Sequence, residues 1–312
     1  VERLSLAKSK LTTFELPKID VKRNYLELFE RLAAAPDATR PLEKALLIWS
    51  TPRCGSTLFT EALNSSKRIG FCDEWFNNLY FKAYTVVMAC DFNLAEYWDF
   101  VIRKTMGDTG VFTLKWHVGQ MTAMHEEFDL RECALTFDFV VYLHRRDKIA
   151  QAVSLCRACS SDQYRSYETQ QCEPSTTPKA IAKALEAIVR QDEFMRQCFS
   201  QHFDAVYTYE DFKQLDTPQT RAHYSYNDVL YALGKEPFSN FHVNITKQSD
   251  STSERLISSF KRYIQGDYRD FEHDWEQCWS GQQTPYIVDR DGSSRASDEE
   301  SVFPGGTRAA GE

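Results

Sequence analysis

The chain reads as an α/β protein built on an open parallel sheet flanked by helices. Two observations predict this. Apolar runs of strand length, at residues 45–49, 111–115, 137–143 and 204–209, alternate with segments of helical period. The runs also open into polar clusters, and strands of a parallel sheet present their ligand groups at their carboxyl ends.

The bulk numbers fit one such domain. A chain of 312 residues can bury a sizeable core without staples. Its net charge of −8 disfavours a general nucleic-acid binder, so an anionic ligand must be met by a local cluster of Arg and Lys. The nine cysteines are odd in number and scattered, which points to reduced thiols and a cytoplasmic setting. Cys156 and Cys159 form a CxxC with no second pair nearby and read as helix packing rather than a zinc or redox site. No stretch approaches the ~20 apolar residues of a membrane span. The opening VERLSLAKSK lacks the apolar core of a secretory signal.

Taken in order, residues 1–20 are polar. Residues 21–35 predict a helix, because Tyr25, Leu28, Phe29 and Leu32 recur at spacings of three and four. A turn at residues 37–41 leads into the strand ALLIW at 45–49. Residues 50–55 are loop, with φ fixed at Pro52 and backbone freedom at Gly55. Ser56 is the expected N-cap of a helix running to about Leu63. A turn at 67–70 precedes CDEWF, and residues 80–100 read as helices without a clean period. Further helices are expected at 148–157, 179–199, 220–233 and 253–264. Residues 160–178 read as an insertion or lid. From about residue 281 a Gly, Ser, Asp and Arg-rich stretch reads as a disordered tail. The expected layout is an N-terminal helical extension at 1–43, a catalytic domain at 44–280 and the tail at 281–312.

The stretch at 45–64 carries the first chemical signal. A strand, a tight loop and a helix start aim unpaired N–H groups and the positive end of a helix at one point, which is an anion site. Arg53 adds a charged fork of donors, and Ser56 and Thr57 add hydroxyls. The loop is not G-x-x-x-x-G-K-[ST], since Gly55 is its only glycine and no Lys follows it. The anion is therefore not expected to be the tail of a metal-bound triphosphate. The second signal lies at two other strand ends, Lys115 to His117 and His144 to Asp147. Arg146 at a strand end and Ser154 two turns into the next helix form a compact monophosphate site if that helix folds back.

The loop P-R-x-G-[ST] at 52–56 resembles the loop with which sulfotransferases hold the 5′-phosphosulfate of 3′-phosphoadenosine 5′-phosphosulfate (PAPS). Arg146 and Ser154 match the Arg and Ser that hold its 3′-phosphate. LHRRDKIAQAVSL, EWF and DAVYTYEDF are more narrowly similar to the bacterial trehalose-2-sulfotransferase and nodulation-type sulfotransferase family. The resemblance covers roughly residues 44–265. It implies a P-loop-kinase-like sulfotransferase fold and a donor, PAPS, released as 3′,5′-bisphosphoadenosine (PAP).

The resemblance also implies roles. Arg53, Cys54, Gly55, Ser56, Thr57, Arg146 and Ser154 hold the donor. No metal is implied, because a cationic side chain meets the leaving charge. Arg53 stands where cytosolic sulfotransferases carry a catalytic Lys and takes the leaving-group role, with Lys115 the second cation. Glu74 stands where the family places its acidic general base, beside Trp75 and Phe76, whose apolar bulk would desolvate it. Asp73 replaces it if the register shifts by one. His117 is the other candidate base, because Lys-x-His resembles the cytosolic enzymes and imidazole titrates near neutrality. The acceptor, a carbohydrate, glycolipid or other small-molecule hydroxyl, falls to residues 71–81, 115–120 and 160–178, with Trp75, Trp116, Tyr164 and Tyr167 suiting sugar faces or lipid chains. CSSDQYRSYETQQCEP stands where the family has a Thr-Gly-x-Trp-like stretch, a departure that counts against trehalose itself as the acceptor. Family members often pair as homodimers. The competing readings are a kinase-like phosphotransferase and a catalytically silent nucleotide-binding scaffold.

Overall fold

The computed structural model describes residue 16 and residues 20–124, 130–161, 176–213, 221–243 and 251–267. Helix α1 (Arg23–Ala34) precedes strand β1 (Lys44–Ser50), which runs through the loop into α2 (Ser56–Ser65). Helices α3 (Asn78–Met88) and α4 (Leu94–Thr105) lead to β2 (Val111–His117). Two short helices follow, α5 (Val118–Met124) and α6 (Leu130–Leu135), and then β3 (Phe139–His144) and α7 (Lys148–Ser161). Helix α8 (Pro178–Phe199), strand β4 (Ala205–Thr208) and the single turn α9 (Tyr209–Phe212) come next. The last elements are α10 (Arg221–Ala232) and α11 (Ser251–Asp267). Among the described residues no helix is long and apolar enough to cross a membrane. The chain divides into units at residues 1–260 and 261–312; the first holds the sheet, and of the second only the end of α11 is described.

The sheet has the order β2-β1-β3-β4, and every pairing is parallel. Asp73 adds an isolated parallel bridge to Leu114 beyond β2. Alternation along each strand builds two cores. Ala45, Leu47 and Trp49 of β1, Phe112, Leu114 and Trp116 of β2, and Val140 and Tyr142 of β3 face one apolar cluster. That cluster is completed by Phe29 of α1, Tyr80 and Phe81 of α3, Tyr97 and Trp98 of α4, and Met195 and Phe199 of α8. Leu46 and Ile48, with Val141 and Leu143, face the other cluster, with Phe59 and Leu63 of α2 and Tyr226, Val229 and Leu230 of α10. On this second face β2 presents Val111, Thr113, Lys115 and His117 in alternation, the last two registered with Ile48 and Ser50.

The expected α/β architecture is observed, with differences that have physical reasons. The predicted cap Ser56 is the first helical residue instead; Gly55 takes the N-cap in the left-handed region at φ 85°. α5 and α6 were not anticipated, because helices of 7 and 6 residues are too short to show a period. The third strand starts at Phe139 rather than residue 137, while Phe137 still packs in the core. Most of the expected insertion at 160–178, with Tyr164 and Tyr167, and the tail at 281–312 lie outside the described residues.

Candidate active site

The anion loop has an unusual backbone. Arg53 holds φ 62° and Gly55 φ 85°, both in the left-handed region, which side chains other than glycine rarely adopt. Glycine is required at 55 for a second reason. A Cβ there would lie 2.4 Å from Cδ2 of Tyr209, which lies against the loop from α9. As N-cap, Gly55 brings no side chain to the first turn of α2, so the amides of that turn face the loop's concavity without a cap from it. Cys54 points away into the core, and burial pushes its thiol up to about 11.

The second strand end meets this loop through Lys115. Its side chain is fully buried, with Nζ 3.4 Å from Thr57 Oγ1, 3.0 Å from Glu74 Oε1 and 3.9 Å from Asp73 Oδ1. A lysine so buried requires anionic neighbours to stay charged. Both carboxylate oxygens of Glu74 carry partners. Oε1 also lies 3.2 Å from His117 Nε2, and Oε2 accepts from Gln120 Nε2 at 3.1 Å and Asn77 Nδ2 at 3.3 Å. His117 Nδ1 in turn lies 2.9 Å from Ser50 Oγ. The two sequence-derived base candidates are therefore one hydrogen-bonded pair. Asp73, the register alternative, is committed elsewhere: Oδ2 accepts from Tyr80 Oη at 2.7 Å and Oδ1 from the Glu74 amide at 2.8 Å.

The third strand end reaches the loop along α7. Ser154 Oγ accepts from Arg53 Nε at 3.0 Å. Gln151 Nε2 donates to Thr51 Oγ1 at 3.0 Å and to the Pro52 carbonyl at 2.7 Å. The expected pairing of Arg146 with Ser154 takes a different form. The exposed Arg146 guanidinium donates to Asp211 Oδ1 at 3.2 Å and lies 3.8 Å from Glu210 Oε2. Burial pushes the Glu210 carboxyl up, but the N–H groups of Arg146 and Asp147 outweigh it and hold it below the ordinary glutamate value.

The loop is thus met by Lys115 of β2 and by Gln151 and Ser154 of α7, while Arg146, just beyond β3, pairs with Glu210 and Asp211. Trp75 and Trp116, expected to face an acceptor, do not: both are fully buried in the first core, with Phe76 between Trp98 and Trp116. Cys156 and Cys159 both lie on α7. Sequence reasoning gave no individual role to Ser50, Asn77, Gln120, Gln151, Glu210 or Asp211, although Asn77 and Gln120 fall in the segments assigned to the acceptor. Only the acid pair carried a signal, since YED follows a strand as the other polar clusters do. A family model described as Stf0 sulphotransferase matches residues 45–263, the stretch that carries this sheet and all of these residues. No curated protein matches the chain.

Proposed function

The chain belongs to the Stf0 sulfotransferase family, and from that premise we propose that it moves a sulfuryl group from PAPS to a hydroxyl of a carbohydrate, glycolipid or other small-molecule acceptor. The observation that carries this reading is Lys115. One buried cation touches both Thr57 of the anion loop and Glu74, and so joins the candidate donor site to the candidate base.

The donor set suits PAPS. The first-turn amides of α2, the hydroxyls of Ser56 and Thr57, and Arg53 offer N–H and O–H groups to a 5′-phosphosulfate. Arg146 and Ser154 offer a charged fork and a hydroxyl to the 3′-phosphate that distinguishes PAPS from ATP. When bound, PAPS supplies the sulfuryl group and departs as PAP. Arg53 and Lys115 stabilise negative charge that develops at the loop, and they are already fixed in place before reaction. Glu74 takes the acceptor's proton, with His117 at 3.2 Å to share it and Ser50 to hold the imidazole. The side chain of Glu74 keeps 17% of its surface exposed, which leaves it open to an acceptor.

The test is thermal stability with PAP, set against ATP and magnesium, followed by transfer of radiolabelled sulfate from PAPS to sugar and glycolipid acceptors. A ligand at ~100 times its Kd stabilises a fold by about 2.7 kcal/mol. A shift with PAP alone that is lost in Arg146→Ala is expected. A shift with ATP alone would return the kinase reading, and donor binding without transfer to any acceptor would return the scaffold reading.

A further inference from the structure

Gln151 and Ser154 lie one turn apart on α7, and both touch the anion loop. Gln151 is fully buried, and its amide nitrogen spends both hydrogens on the loop, one on Thr51 Oγ1 and one on the Pro52 carbonyl. A carbonyl only accepts, so the amino end must face Pro52 and the orientation of the side-chain amide is fixed. Its own Oε1 is buried and accepts no hydrogen bond among the described residues. A buried, unsatisfied acceptor works against the fold, and a methionine of similar length would carry no such burden. At the residue after Pro52, the first of the bend, Arg53 holds φ 62° with its Nε on Ser154. The loop is therefore tied to one helix at three successive residues, Thr51, Pro52 and Arg53, at the entry to its left-handed bend.

We propose that Gln151 is a positioning residue for donor binding: it fixes the course of Thr51 and Pro52, and so aims Arg53 and the first-turn amides of α2 at the donor's 5′-phosphosulfate, without touching donor or acceptor itself. The inference rests on the sulfuryl-transfer reading. It assigns a function to a neutral side chain in the first turn of α7, and it gives a reason for an unsatisfied oxygen there.

The experiment is Gln151→Met in the full chain, read by thermal midpoint, PAP affinity from calorimetry, KM for each substrate, and amide exchange across residues 53–57. The loss of two neutral hydrogen bonds on the loop should weaken PAP and raise the donor KM by about ten- to a hundredfold. The acceptor KM and the thermal midpoint should hold, and the loop amides should exchange faster. Gln151→Glu keeps the shape but turns an oxygen toward the Pro52 carbonyl, and should weaken PAP further. Thr51→Val and Gln151→Met together should cost less than the two losses added, because they remove one shared contact. Normal PAP affinity in folded Gln151→Met would overturn the inference alone, as would donor and acceptor terms that fall in step with thermal stability. Wild-type protein that binds no PAP would overturn the donor reading and this inference with it.

Discussion

Gly55→Ala should destabilise the protein through two separable costs. The first is conformational. A residue with a Cβ at φ 85° loses roughly 1–2 kcal/mol against the right-handed alternative. The second is steric. The new methyl would sit 2.4 and 3.0 Å from Cδ2 and Cε2 of Tyr209 and 3.3 Å from Cε2 of Phe212. Tyr209 cannot yield cheaply, since the Arg145 guanidinium lies 4.8 Å from its ring centre and Phe212 packs edge-on to it, and Phe212 is itself fully buried against Phe59. Overpacking of this kind costs about 1–3 kcal/mol. The sum is about 2–5 kcal/mol, and with a urea dependence of about 2 kcal/mol per molar the unfolding midpoint falls by about 1–2.5 M. The same substitution in a Tyr209→Ala background should cost only the conformational share, about 1–2 kcal/mol. Equal costs in the two backgrounds would refute the steric part, and a midpoint within about 0.3 M of wild type would refute both parts.

Glu74→Gln should lower kcat by about 10²–10⁴ while PAP affinity holds, and His117→Ala should lower it less, as befits a base and its partner. Full turnover in Glu74→Gln with none in His117→Ala would exchange their roles, and steady-state kinetics with PAPS saturating decides it. A pH effect should come from His144 at the end of β3. Burial first, and then the charge of Lys148, holds its imidazole below the ordinary 6.5, against the opposing pull of Asp192 and Glu210. The unfolded chain therefore binds more protons in that window. The stability contribution of His144 is complete above about pH 6.5 and is lost as pH falls through the folded value. Urea midpoints between about pH 7.5 and 5 should slope less in His144→Gln than in wild type, and parallel slopes would remove the assignment.

The sheet was legible because buried parallel strands are continuous apolar runs, and β1 and β3 declare themselves within five or six letters. The loop was legible because Pro52 and Gly55 interrupt such a run just before a helix. What stayed hidden was carried by neutral side chains. Gln151 meets Thr51 across a hundred residues of chain, and Gln120 meets Glu74 across 46. Amides at such separations leave no spacing to read. The aromatics misled for a related reason. Trp75 and Phe76 follow Glu74 directly, yet which side each neighbour takes depends on how the 73–76 segment lies along β2, and that segment sends its aromatics to the core. Arg146 follows a strand end as expected, but its acidic partners Glu210 and Asp211 arrive from the helical turn after β4, 64 and 65 residues later.

The alternation along β2 has one more consequence, for insertions and deletions. Lys115 and His117 share a face, and Trp116 between them belongs to the opposite core. A substitution in this strand changes one contact. A residue gained or lost inside β2 ahead of Lys115 turns over the rest of the strand, swinging an indole toward the anion loop and two ionisable groups among buried rings. Length in β2 is thus far less tolerant than composition. The place that can absorb a change of length is the turn before it, where Gly107 and Gly110 already hold positive φ and nothing stands within 4 Å of a Cβ on Gly107.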